Sequence, residues 1–117
     1  MVETNYAKGL KAERIAALYL RLKGYRILAR RYKTKYGEID IIAAKRKVLL
    51  IVEVKYRKEI DLAIASITRR TARRIFGATK HWLYRNRAYS NFYVRFDVII
   101  LGASYFPIHI KDYFVLK

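Results

Sequence analysis

The chain has 117 residues, of which 54% are hydrophobic and 15% aromatic, so it can fold around a real core and is not a disordered tail. It carries 26 Lys and Arg against 9 Asp and Glu, a formal net charge of +17, and such a field selects polyanions, with nucleic acid the default partner and an anionic membrane surface the weaker alternative. There is no cysteine, and the two histidines, His81 and His109, lie far apart, which excludes disulfides, thiolate zinc sites, a cysteine nucleophile and a histidine-rich metal site.

Residues from about Glu3 to Lys23 read as a helix. Tyr6, Gly9, Leu10, Glu13, Ala16, Ala17 and Leu20 fall on one stripe at the helical period, with Lys8 and Lys11 opposite and Arg14 and Arg21 on a flank. Glu13 lies at the centre of that stripe. It reads equally as a carboxylate paired with a core-edge Arg or Lys and as an acid aimed from the helix into a site on a sheet. Gly24 fits a helix stop, and Tyr25 to Lys33 reads as a strand around Ile27 and Leu28. After a turn at Tyr36-Gly37, Glu38 to Ala44 and Val48 to Tyr56 read as two strands. The short basic turn Lys45-Arg46-Lys47 between them makes the pair an antiparallel hairpin.

Residues from roughly Ile60 to Arg87 read as helical, with a break. Ile67, Ile75, Ala78 and Trp82 give an apolar face, widened by Phe76 and Leu83. Arg69, Arg70, Arg73 and Arg74 crowd the early turns, where cations oppose the helix dipole. A phosphate backbone lying there would offset the repulsion; the plainer reading is a solvated basic face. Phe92 to Leu101 is a strand, and Tyr105 to Phe114 forms a last one. The order makes a mixed α/β domain. No leader-like apolar segment opens the chain and no run approaches the ~18–20 residues that cross a bilayer, so a cytoplasmic protein away from membranes is expected.

Acids interrupt two of the apolar strands. Val48 to Val52 is apolar on both pleat faces, as in a central covered strand, until Glu53 and Lys55, which project to one side. Upstream, Asp40 lies within Gly37 to Ala44. Buried charge is costly unless paired, metal-bound or set in a cleft. A plain ion network is one account, with Asp40 paired to Lys55 and Glu53 to an arginine. The chemical account is phosphodiester hydrolysis. Mg²⁺ takes oxygen ligands and is commonly held by one or two carboxylates, which Asp40 and Glu53 supply. Lys55 could orient or deprotonate the attacking water or stabilise charge on phosphorus. Arg69, Arg70, Arg73, Arg74, Lys45, Arg46 and Lys47 are the candidate phosphate contacts. Tyr84, Tyr89 and Tyr93 could stack unpaired bases, although core-edge packing is the commoner role of such tyrosines.

Glu13 in a helix, then Gly37-Glu38-Ile39-Asp40, then Val52-Glu53-Val54-Lys55-Tyr56-Arg57 closely resembles the YraN family of bacterial proteins. The likeness runs from Ala12 and Gly24-Tyr25 through Arg95-Phe96-Asp97-Val98 to His109-Ile110 and Phe114. The resemblance implies a restriction-endonuclease-like core, a mixed β-sheet flanked by helices spanning 1–117, related to Holliday junction resolvases. It also implies a metal-dependent endonuclease acting on DNA, branched or single-stranded forms included. Asp40, Glu53 and the Val54 carbonyl would hold Mg²⁺, with Mn²⁺ as substitute. Lys55 would be the catalytic lysine, Glu13 the helix acid and Glu38 a supporting residue. Related resolvases act as dimers, so a homodimer is a further expectation. One departure stands out: Thr71-Ala72 align where family members carry a Lys-Gln pair. The alternative is therefore a catalytically weak or inactive nucleic-acid-binding module with a nuclease fold.

Overall fold

A computed structural model describes residues 4–114; Glu3, at the expected start of the first helix, lies outside them. Thr4 caps α1 (Asn5–Leu22) by accepting a hydrogen bond from the Ala7 N–H at 3.0 Å. The helix ends at Lys23, and Gly24 follows in the left-handed region at φ +93°, as a helix-stopping glycine should. The strands β1 (Arg26–Lys33), β2 (Glu38–Lys45) and β3 (Val48–Tyr56) run as an antiparallel meander. A crossover through α2 (Ile60–Ala65) and α3 (Arg69–Arg85) then brings β4 (Tyr93–Leu101) parallel to β3. The last strand, β5 (Ile108–Phe114), closes an edge antiparallel to β4, giving the order β1-β2-β3-β4-β5. This is the expected α/β fold, a mixed sheet flanked by helices, consistent with a restriction-endonuclease-like core. No helix among the described residues is long and apolar enough to cross a membrane.

The expected break in the second helical region falls at Ser66-Ile67-Thr68. Ser66 turns its hydroxyl back to the Ala63 carbonyl at 2.6 Å, which competes with helix continuation. Thr68 then starts α3 with a reciprocal box: its hydroxyl accepts from the Thr71 N–H, and the Thr71 hydroxyl accepts from the Thr68 N–H.

Both faces of the sheet are covered, which explains why β2 and β3 are apolar on both sides. α1 lays Ala12, Ala16, Ala17 and Leu20 on Ile41, Ala43, Leu50, Val52, Ile99 and Leu101. The small alanines let the helix approach the sheet closely. α3 lays Ile75, Ala78 and Trp82 on Ile39, Ile42, Leu49, Ile51, Phe96, Val98 and Ile100. Each fully buried Leu or Ile contributes about 1.5–3 kcal/mol relative to exposure.

Gly37 joins the β1–β2 turn to α3. A Cβ there would lie 2.0 Å from the Arg74 carbonyl oxygen, a backbone atom that cannot swing aside. Gly37→Ala is expected to lose about 3 kcal/mol of stability by overpacking. A urea titration checks this, and an unchanged midpoint would mean that the turn does not pack on α3 as described.

Candidate metal and phosphodiester site

The hairpin presents its acids where regular alternation fails. Ile39 packs in the α3 layer but Ile41 packs in the α1 layer, so the pleat is irregular around Asp40. On the neighbouring strand, Arg31 lies between the pairs Arg30↔Ile41 and Tyr32↔Ile39 and takes φ +52°. A non-glycine residue there costs about 1–2 kcal/mol, which surrounding contacts must offset. The regular β2–β3 ladder runs from Lys45↔Val48 to Ile41↔Val52 and stops short of Asp40. Beyond it a side chain takes over the backbone's role: the Val54 N–H donates to Asp40 Oδ2 at 2.7 Å.

That bond fixes Asp40 against Glu53. The two carboxyl groups act on each other's proton affinity, and Glu53 is the one that keeps its proton at neutral pH. Burial, then the Asp40 charge and the hydrogen bond to it, push the Glu53 carboxyl up to about 9, against the opposing pull of Lys55. Asp40 is also raised, chiefly by burial, while its bonds to Glu53 and the Val54 N–H work the other way. Lys55 Nζ lies 3.8 Å from Glu53 Oε1, both side chains mostly buried, so the lysine pairs with its own strand's acid rather than across the hairpin. Glu13 is 7% exposed and answers to both readings of its sequence position. It pairs with Arg30 at 3.4 Å, and it faces Asp40 closely enough that burial and the Asp40 charge together raise its pKa. Glu13, Glu38, Asp40 and Val54 line one cleft of about 240 Å³ between α1 and the β1–β2 hairpin. Glu38 is exposed at its edge. No three Asp, Glu or His side chains among the described residues form a ready-made metal cage. Asp40 and Glu53 are close enough to act on each other's charge, and two carboxyl groups of this kind would suit a cation that keeps most of its water.

Residues 12–101 match the model of Uncharacterised protein family UPF0102. The chain belongs to the UPF0102 family. Among curated UPF0102 proteins, one from Nitrobacter winogradskyi is 46% identical over 106 residues, covering 91% of this chain and 90% of its own length. One from Bartonella bacilliformis is 44% identical over 110 residues, covering 94% and 90%. A third, from Rhodopseudomonas palustris strain BisB5, is 43% identical over 109 residues, covering 93% and 83%. The matched span of the UPF0102 model contains Glu13, Glu38, Asp40, Glu53 and Lys55.

The proposed phosphate contacts lie apart from this cleft. Arg69, Arg70, Arg73 and Arg74 are exposed at the start of α3, in the layer opposite α1, and none pairs with a carboxylate among the described residues. The turn Lys45-Arg46-Lys47 closes the far end of the hairpin from Asp40, about 15 Å away along the strand. Lys45 donates to the Lys23 carbonyl at 2.7 Å, and Lys47 lies over the Phe92 ring, which leaves Arg46 as the turn's free cation among the described residues. Tyr89 packs against Trp82 and Phe92, while Tyr84 and Tyr93 are exposed. Thr71 closes its capping box and Ala72 packs against the core, so neither extends toward the acids.

Sequence reasoning missed Tyr6 and Arg31. Tyr6 was expected on the apolar stripe of α1, yet it is 66% exposed at the cleft, where its hydroxyl receives a hydrogen bond from Arg31 at 3.2 Å. The buried stripe of α1 begins only at Ala12, about two turns into the helix. A second buried acid, Asp97, was also passed over. It accepts two bonds from Arg95 at 2.8 and 2.9 Å, one from the Asp112 N–H at 2.9 Å and one from His109 Nε2 at 2.6 Å. The other ring nitrogen, Nδ1, shares a hydrogen bond with the Tyr19 hydroxyl at 3.0 Å. The signal was present, since Asp97 interrupts an apolar strand as Glu53 does. Its partners on the last strand, 12 and 15 residues further along, were not visible.

Proposed function

We propose that this chain is a Mg²⁺-dependent endonuclease, accepting Mn²⁺, that hydrolyses phosphodiester bonds of nucleic acid, DNA in the first instance. The observation that carries the reading is the Asp40–Glu53 pair, two half-buried carboxyl groups with Asp40 held by the Val54 N–H and Lys55 3.8 Å from Glu53, in a chain of net charge +17. Such an arrangement is a poor device for stability. It is a good one for a dication, which can displace the Glu53 proton. Asp40, Glu53 and the Val54 carbonyl would hold the ion, and the resemblance to restriction-endonuclease-like proteins supports the same set. The bound ion would polarise the phosphoryl group and lower the pKa of a water molecule.

The chain's own groups do the rest. The Val54 N–H keeps Asp40 in one rotamer. Lys55, held near Glu53, orients the attacking water or offsets charge on the phosphoryl oxygens. Glu13, with its raised pKa, is suited to hold a proton near Asp40. The test is cleavage of labelled single strands, duplexes, flaps and four-way junctions in Mn²⁺, beside identically purified Lys55→Ala. The wild type is expected to cleave, and Lys55→Ala to do so at least about a hundredfold more slowly. Equal cleavage by both proteins would mean a contaminant and would sink the reading.

The second reading, an inactive nucleic-acid-binding module with a nuclease fold, is favoured by Thr71-Ala72. At that point the chain offers no amide or amine to the cleft, because Thr71 is bound to Thr68. Binding that survives Asp40→Asn and Glu53→Gln, with no cleavage by any form, would favour it.

A further inference from the structure

The acid cleft continues on both sides. A second cleft, lined by Lys11, Arg14 and Arg30, shares the walls Leu10, Glu13 and Arg31 with it. A third, lined by Lys8, Lys55, Arg57 and Lys58, shares Asn5, Gly9 and Val54. The three abut beneath the first half of α1, with the acids in the middle and cations at either end. From Asn5 to Arg14 the helix rises about 13 Å, long enough to lie along a short stretch of one nucleic-acid strand.

Two features fit this groove to an unpaired strand. Tyr6 stands exposed at the cleft, with the Arg31 guanidinium 5.7 Å from its ring centre and hydrogen-bonded to its hydroxyl. An aromatic ring set beside a guanidinium is a platform for a base, and only a base outside a duplex stack has a free face to offer it. The second feature is Gly9. It sits within α1, where glycine costs about 1 kcal/mol relative to alanine. A Cβ at that position would meet nothing within 4 Å, so packing does not call for glycine there. The space lies where the acid cleft meets the third cleft.

We infer that the groove beneath α1 takes a single nucleic-acid strand, with one unpaired base stacked on the Tyr6–Arg31 platform, the backbone passing Gly9 and the phosphates held by the cations at either end. The inference rests on the nuclease reading of the same site and names its substrate class: strands unpaired at or next to the bond that is cut.

The test is fluorescence anisotropy in EDTA, which removes cleavage from the readout, with a labelled oligothymidylate and a blunt duplex of equal length. Tyr6→Ala is expected to weaken single-strand binding about fivefold or more while changing duplex binding less than about twofold. Tyr6→Phe should stay within about twofold of the wild type, because stacking needs the ring and not the hydroxyl. Gly9→Leu is expected to weaken single-strand binding as much as Tyr6→Ala does, with a melting temperature equal to or above the wild type's, a combination that a misfolded variant cannot produce. Equal weakening of both nucleic acids by Tyr6→Ala, or no weakening by either variant, overturns the inference. If cleavage is seen while these variants bind normally, the groove is refuted and the nuclease reading stands. If they discriminate while no form cleaves, the groove stands as a strand-binding site and the nuclease reading falls.

Discussion

Asp40→Asn is expected to slow the proposed cleavage by roughly a thousandfold or more and, at the same time, to raise the melting temperature. The two effects share one cause. The asparagine oxygen still accepts the Val54 N–H, so the hairpin keeps its geometry. What disappears is a negative charge beside the buried Glu53, and with it one contribution to Glu53's elevated pKa. A gain of about 1–2 kcal/mol in metal-free protein is expected, of the size seen when strained functional groups are neutralised.

The pH dependence of the wild type follows from the same pair. Folded Glu53 keeps its proton to about pH 9, whereas its unfolded value is near 4.5. Between those limits the native state binds the extra proton, so stability falls as pH rises, by up to about 1.4 kcal/mol per pH unit. Glu53→Gln should remove most of that slope. Mg²⁺ should raise the melting temperature most at the alkaline end, where it no longer competes with a proton, and increasingly with concentration. Thermal melts across this range, with and without Mg²⁺, check all three. A wild-type melting temperature indifferent to pH would refute the retained Glu53 proton, and one indifferent to Mg²⁺ at every pH would refute the ion site.

Asp97→Ala is expected to cost about 3–5 kcal/mol, the largest stability loss of any single substitution proposed for this chain. Asp97 is fully buried, and its removal leaves the Arg95 guanidinium, the His109 ring and the Asp112 N–H without their common acceptor. Burial alone would raise the Asp97 carboxyl. The bonds from His109, Arg95 and the Asp112 N–H outweigh burial and hold it below the ordinary 3.8. Its stabilising contribution is therefore complete above that value and is lost as pH falls further, opposite in sign to that of Glu53 and in a separate window. The network joins β4 to β5 through Asp112 and His109 and to α1 through Tyr19, so its loss should free the sheet edge as well as the helix. A fall of on the order of 10 °C in melting temperature, with hydrogen exchange rising in β5 and α1, is the expected result. A change below about 1 kcal/mol would mean that the cluster does not hold those elements together.

Much of the fold was legible because its signals are local. The stop at Gly24, the Lys45-Arg46-Lys47 turn and the apolar runs of β2 and β3 each act within a few residues. Strand periodicity put Glu53 and Lys55 on one side, and the structure pairs them. The acid inside an apolar strand was likewise readable, since it violates a rule that burial enforces. The candidate phosphate contacts fared differently. Composition supplied the cations, but which of them border the acid cleft depends on which helix covers which face.

What the chain determined by itself is therefore the set of elements, the antiparallel hairpin and the presence of acids that a dry interior would reject. Only the tertiary structure decided what those acids meet. The irregular pleat at Asp40, the left-handed Arg31 beside it and the exposure of Tyr6 arise where β1, β2 and α1 press on one another. Asp97 finds His109 and the Asp112 N–H because the sheet lays β5 against β4. The physical reason is range. Propensity, capping and alternation act over a few residues, whereas a carboxylate's pKa is set by burial and by charges that can approach from anywhere in the chain.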